Sequence, residues 1–132
     1  MQISSRASGA PPRILVVEDE ALIGALAVEN LEELGFAAEV VGTAAAARSA
    51  LGLLEGRVAA AIIDIGLPDA PGDVLVGQLR ALYPELPIVV SSGHSEAVLR
   101  DRFKGQRAIG FLNKPYSLEQ MRSALLALAV RA

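Results

Sequence analysis

Three carboxylates, a hydroxyl and an ammonium each stand within two residues of the end of a short apolar run. Glu18 and Asp19 follow Ile14–Val17, Asp64 follows Val58–Ile63, Ser92 follows Ile88–Val90, and Lys114 follows Ala108–Leu112. One polar residue in such a place is ordinarily just solvated. Five of matching chemistry at four such ends call for a common purpose. Carboxylates gathered together repel, so near neutral pH they normally hold a cation. Oxygen donors favour a hard ion. With no cysteine and a single histidine, His94, in the chain, zinc and copper give way to Mg²⁺. Magnesium held by few carboxylates keeps positions open for a phosphoryl oxygen. Lys114 as a point charge and Ser92 as a hydroxyl donor suit the remaining oxygens. The chemistry is phosphoryl transfer onto a carboxylate, with metal and lysine neutralising the charge. Asp64 is the natural acceptor because it closes the central, continuously apolar run.

For these ends to meet, the runs must be parallel strands. After Ile14–Val17 the spacing turns helical from Ala21, with Leu22, Leu26, Leu31 and Leu34 as the apolar stripe and Gly35 as the stop. Phe36–Val41 reads as a second strand, and Thr43 caps an alanine-rich helix to about Glu55, ended by Gly56. Val58–Ile63 has the unbroken apolar character of a strand covered on both faces. A loop with breakers at each end follows Asp64, then a helix marked by Leu75, Leu79 and Leu82. Ile88–Val90 is the fourth strand, Ser95 to Phe103 a short charged helix, and Ala108–Leu112 the fifth strand. Ser117 and Gln120 form a capping box for a last helix lined by Leu118, Met121, Leu125 and Leu128. Strands alternating with helices pair in parallel and are covered on both faces, which makes a three-layer α/β sandwich. In such a sheet all strand C-termini share one edge, where ligand sites form.

Composition excludes other classes. With 12 Lys+Arg against 15 Asp+Glu the formal net charge is -3, so no clustered positive charge is available for nucleic acid or anionic lipid. No apolar stretch approaches the roughly 18–20 residues of a bilayer span. The absence of cysteine removes disulfides, thiolate zinc, iron–sulfur clusters and a cysteine nucleophile. Residues 1–12 are polar, rich in Ser, Gly and Pro, and lack the apolar middle of a secretory signal. They read as a flexible leader before a domain over 13–130, in a cytoplasmic setting.

Ile14-Leu15-Val16-Val17-Glu18-Asp19-Glu20, Asp64-Ile65-Gly66-Leu67-Pro68-x-x-x-Gly72, Ser91-Ser92-Gly93 and Phe111-x-x-Lys114-Pro115 together resemble the receiver domain of bacterial two-component response regulators, over about residues 13–130. The resemblance implies a flavodoxin-like fold with strand order 2-1-3-4-5. It implies that Asp64 takes a phosphoryl group from a histidine kinase or histidine phosphotransfer protein. Asp19, Asp64 and the main-chain carbonyl of Gly66 would bind Mg²⁺ directly, and Glu18 through a metal-bound water. Ser92 and Lys114 would contact the aspartyl phosphate, and Phe111 would turn inward as the Ser92 hydroxyl moves. The Lys114–Pro115 peptide would be cis. Helix four, strand five and helix five would form the signalling face.

Two positions flanking the path of an attacking water in this family are Gly66 and His94, and His94 is the residue expected to tune phosphoryl lifetime. Glu20 reads as a first-turn charge on the helix dipole, Asp69 and Asp73 as turn and cap residues. Arg100, Asp101, Arg102 and Lys104 read as a solvated face. The expectation is a stand-alone switch that acts on a downstream protein and turns over no external substrate. A receiver fragment of a hybrid histidine kinase or of a larger response regulator would look much the same. Phosphorylation-dependent homodimerisation is left open by the apolar content of helices four and five. An aspartate-nucleophile phosphohydrolase fits poorly, since Glu18-Asp19-Glu20 is not an Asp-x-Asp pair. A flavin site fits poorly too, because three acids after strand one repel phosphate.

Overall fold

The computed structural model describes residues 10–93 and 96–132, with Glu96 described in its backbone alone. Residues 1–9 of the expected leader and the expected tuning residue His94 lie outside the described residues.

Five strands, β1 (Arg13–Val17), β2 (Ala37–Val41), β3 (Ala60–Asp64), β4 (Ile88–Ser92) and β5 (Ile109–Asn113), alternate with five helices. These are α1 (Ala21–Glu33), α2 (Ala44–Leu53), α3 (Gly72–Leu82), α4 (Glu96–Arg102) and α5 (Leu118–Ala127). The sheet is parallel throughout, in the order β2-β1-β3-β4-β5. This is the expected fold, in which β3 and β4 are buried along their whole length.

Alternate strand residues feed two cores, as a strand period of two requires. Leu15, Val17, Ala61, Ile63, Ile88 and Val90 pack with residues of α2, α3 and α4. Ile14, Val16, Ala60, Ile62 and Val89 pack with residues of α1 and α5. Thr43 caps α2 as expected, its hydroxyl accepting from the Ala46 N–H at 3.0 Å. The Ser117–Gln120 capping box forms in both directions.

Three expectations need correction. β3 starts two residues late and ends on Asp64, because Val58 closes a turn with Gly56 instead of entering the strand. The leucine stripe of α1 is buried only in its second half: Leu31 is buried and Leu34 packs against the core, but Leu22 is 73% and Leu26 49% exposed, and Gly24 and Ala27 face the sheet in their place. Small residues let α1 lie close to the sheet, so a Cβ at Gly24 would stand 3.1 Å from Val40. In α3, Leu75 and Leu79 are buried but Leu82 is 62% exposed.

Candidate functional site: an acidic edge closed by a lysine

β1 delivers Glu18 and Asp19 to the C-terminal edge of the sheet, and the neighbouring β3 delivers Asp64. The two carboxylates nearest the sheet are buried, Glu18 at 4% and Asp64 at 6% exposure, whereas Asp19 faces solvent. One carboxylate oxygen from each of the three lies within 4.8 Å of the others. Lys114 enters from the end of β5, held there by its N–H bond to the Ser92 carbonyl at 2.8 Å. Its ammonium is 2.9 Å from Glu18, 3.1 Å from Asp64 and 3.7 Å from Glu20.

The electrostatics follow from two buried acids sharing one base. Burial pushes the Glu18 carboxyl above its ordinary 4.5, against hydrogen bonds from Lys114 and from the Glu20 N–H. Burial also works to lower Lys114, but its bonds to Glu18 and Asp64 outweigh that and raise it above 10.5. The ammonium is therefore firmly charged, while Glu18 has only a part share in it. A cluster of three carboxylates and one ammonium keeps an excess of negative charge, which favours a further cation.

The three carboxylates, one of them open to solvent, are an all-oxygen donor set that suits a hard divalent ion. Gly66 is exposed, and a Cβ built there would meet nothing within 4 Å. Its N–H leans on Asp64 Oδ1 at 3.4 Å. The three acidic side chains thus fit a divalent cation such as Mg²⁺.

Ser92 ends β4 with 1% exposure, and its register partner on β5 is Asn113. Phe111 does not join the acidic cluster. It packs half-buried toward α4, its ring 6.1 Å from that of Phe103, with the Arg100 guanidinium over its face at 5.1 Å. Arg100 is exposed, as expected of a solvated face, and is also a cation–π partner of Phe111. The Lys114–Pro115 peptide is cis.

One residue near the site, Tyr116, escaped the sequence reading, and Glu20 and Asp69 make bonds it did not foresee. Tyr116 is close enough that burial, then the Glu18 charge, raises its hydroxyl above 10.0; its place directly after Lys114-Pro115 was the available signal. Glu20 is tied to Lys114 as well as starting a helix. Asp69 caps, but not its own loop: its carboxylate accepts from the Ala44 and Ala45 N–H groups of α2 at 2.8 and 3.0 Å. Asp73 accepts from the adjacent Val74 N–H at the start of α3.

Comparison with known proteins agrees with this geometry. The response regulator receiver domain model matches residues 14–126. The chain is 33% identical over 116 residues to the transcriptional regulatory protein PdtaR of Mycobacterium tuberculosis, covering 87% of this chain and 55% of that protein. It is 28% identical over 108 residues to the sensor kinase CckA of Brucella abortus, covering 82% of this chain and 11% of the kinase. The chain thus spans about half the length of the transcriptional regulators it matches, and about a tenth of the sensor kinase. Among solved structures, a CheY-like receiver domain from Methylobacillus flagellatus superimposes with a TM-score of 0.69 at 30% identity, over 90% of this chain and 99% of that one. Domains of this kind are signalling switches that work with histidine kinases or phosphotransfer proteins. A parallel sheet in this order, an acidic edge closed by lysine, and a family match over most of its length place the chain in the response regulator receiver domain family.

Proposed function

We propose that Asp64 is the phosphoacceptor of this receiver domain, which occupies residues 13–130 in a cytoplasmic setting. The single observation that carries this is the position of the Asp64 carboxylate, buried on the central strand yet facing Lys114 and two further acids. An Asp64 oxygen attacks the phosphorus of a phosphohistidine; the P–O bond forms as the P–N bond breaks, and the imidazole leaves neutral with the P–N electron pair, keeping the proton already on its other nitrogen. Glu18, Asp19, Asp64 and the Gly66 carbonyl would hold Mg²⁺, with Glu18 acting through a water. When bound, the ion neutralises charge on the transferring phosphoryl oxygens. Lys114 holds its proton throughout and pairs with one phosphoryl oxygen. The Ser92 hydroxyl donates to another and draws Phe111 inward, away from Arg100. The face of α4, β5 and α5 then changes, and a protein target or a second copy reads it. The domain's own chemistry is limited to gaining and losing this group, with loss to water tuned by His94.

Similarity to the sensor kinase CckA supports a second reading, in which the same chemistry serves as a relay step within a hybrid kinase.

Intact mass tests the acceptor. After incubation with Mg²⁺ and a small acyl-phosphate donor, the wild type gains one phosphoryl group and Asp64→Asn gains none. Equal labelling of Asp64→Asn overturns the assignment.

A further inference from the structure

The β3–α3 loop is tied across the sheet edge by one side chain. Asp69 belongs to this loop, yet both its carboxylate oxygens accept hydrogen bonds from α2, from the Ala44 N–H at 2.8 Å and the Ala45 N–H at 3.0 Å. Thr43 takes the Ala46 N–H at 3.0 Å. The first three N–H groups of α2, which have no partner within the helix, are thus all satisfied. Thr43 does this locally. Asp69 does it from 25 residues away.

What this link joins gives it meaning. On the α2 side, the β2–α2 connection is fastened to the acidic pair, because the Glu18 N–H bonds the Val41 carbonyl at 2.9 Å. A Cβ on Gly42 would lie 3.9 Å from both the Asp19 Cα and the Glu18 carbonyl oxygen, so the two loops touch. On the Asp69 side, the loop leaves Asp64 and carries Gly66 within it. It is pinched shut where the Gly72 N–H bonds the Ile65 carbonyl at 2.8 Å. Asp19 and Gly66 therefore sit on two separate loops, and Asp69 is the side chain that spans from one loop to the start of the helix anchored beside the other.

We propose that Asp69 is a positioning residue for the cation site: by clamping the β3–α3 loop to the N-terminus of α2, it sets the separation of the Gly66 carbonyl from Asp19. The inference rests on the assignment of these groups as cation ligands. Asp69 itself touches neither the cation nor the phosphoryl group. Aspartate is required because both acceptors are used. Asparagine offers one carbonyl oxygen, and its amide would face the second N–H donor to donor.

The test separates loop clamping from helix capping by pairing Asp69→Ala with Thr43→Ala in the full chain. Both remove a cap from α2, but only Asp69→Ala cuts the link between loops. Mg²⁺ binding is measured directly by titration calorimetry, and thermal unfolding in EDTA follows the loss of the cap. Partners outside the ligand shell change metal affinity by about tenfold or more when removed. Asp69→Ala is expected to weaken Mg²⁺ about tenfold, Asp69→Asn by an intermediate factor, and Thr43→Ala hardly at all, while both alanine variants melt earlier. An unchanged Mg²⁺ affinity in Asp69→Ala overturns the proposal. So does an equal loss in Thr43→Ala, which would make the effect one of helix stability. Phosphoryl labelling of the wild type is scored separately: its failure would count against Asp64 as acceptor, whereas the clamp is judged by Mg²⁺ binding alone.

Discussion

The Lys114 ammonium lies 2.9 Å from a Glu18 carboxylate that is itself only 3% exposed at the side chain and 3.1 Å from Asp64, so the lysine is shared between the proposed acceptor and a second buried acid. Lys114→Met leaves Glu18 and Asp64 buried side by side with no cation. Breaking a buried pair from one side costs about 3 kcal/mol or more, so urea denaturation in EDTA should show a loss of that order. Added Mg²⁺ should recover more stability in the variant than in the wild type, because the ion replaces the missing charge. An identical loss with and without Mg²⁺ would contradict a shared electrostatic role.

Alkaline pH should destabilise the domain through the same site. Lys114 is raised above 10.5 by its two carboxylates despite burial, so its contribution is complete below 10.5 and is lost as pH rises through the folded-state value. Burial raises Tyr116 above 10.0. The unfolded chain then ionises this tyrosine first, and stability falls again above pH 10.0. In both cases the folded state binds the extra proton, so the slope of stability with pH is negative. Denaturation midpoints from pH 9 to 12, roughly bracketing these ordinary values, should fall less steeply for Tyr116→Phe than for the wild type. Parallel curves would remove Tyr116 from the account.

The sequence carried the strand ends well and the helix faces unevenly, for one physical reason. Runs such as Ala60–Ile63 are buried on both sides, so apolar type alone reveals them, and the polar residue that ends each run marks the edge. A helix face depends on what its neighbour leaves room for. In α1, Gly24 and Ala27 face the sheet because the helix sits close, and the larger Leu22 and Leu26 are displaced to the outside. Long-range links were invisible for a different reason. Asp69 and Ala44 are 25 residues apart, and no local pattern announces their bond. Leu22→Gln should accordingly change stability by less than about 0.5 kcal/mol, and Leu31→Ala should cost about 2–5 kcal/mol. A large loss from Leu22→Gln would mean that the exposed stripe is covered after all.

Arg80 offers a sharper contrast between charge and shape. From α3 its guanidinium donates to the carbonyls of Tyr83, Pro84 and Leu86 on one side and of Arg107 and Ala108 on the other, the shortest at 2.6 Å to Leu86. It thereby joins the entry of β4 to the entry of β5, at the edge opposite the acidic site. Burial lowers its proton affinity, and its Nε meets no acceptor among the described residues. A planar fork can serve several carbonyls at once, and an ammonium on a flexible stem cannot. Arg80→Lys is therefore expected to lose about 2 kcal/mol, nearly as much as Arg80→Ala, since hydrogen bonds from a charged donor are worth about 1.5–3 kcal/mol each. Retention of full stability by Arg80→Lys would show that the charge, and not the fork, is what counts.

Gly72 tests how rigidly the loop after Asp64 is held. It begins α3, and its N–H closes the loop onto the Ile65 carbonyl. A Cβ there would stand 2.4 Å from the Ile65 Cα and 2.8 Å from the Asp64 carbonyl oxygen, both of them backbone atoms that cannot rotate away. Gly72→Ala must therefore push the chain leaving Asp64 out of place. Overpacking of this kind costs about 1–3 kcal/mol, and here the displacement reaches Asp64, the proposed acceptor. Urea denaturation should register that loss, and the rate of acyl-phosphate labelling should fall with it. Gly66→Ala is the matched control, since its Cβ meets nothing within 4 Å and its stability should stay close to wild type. If Gly72→Ala were as stable as Gly66→Ala and labelled at the wild-type rate, the loop would have to be soft enough to move aside, and its close packing would not be what holds Asp64 in place.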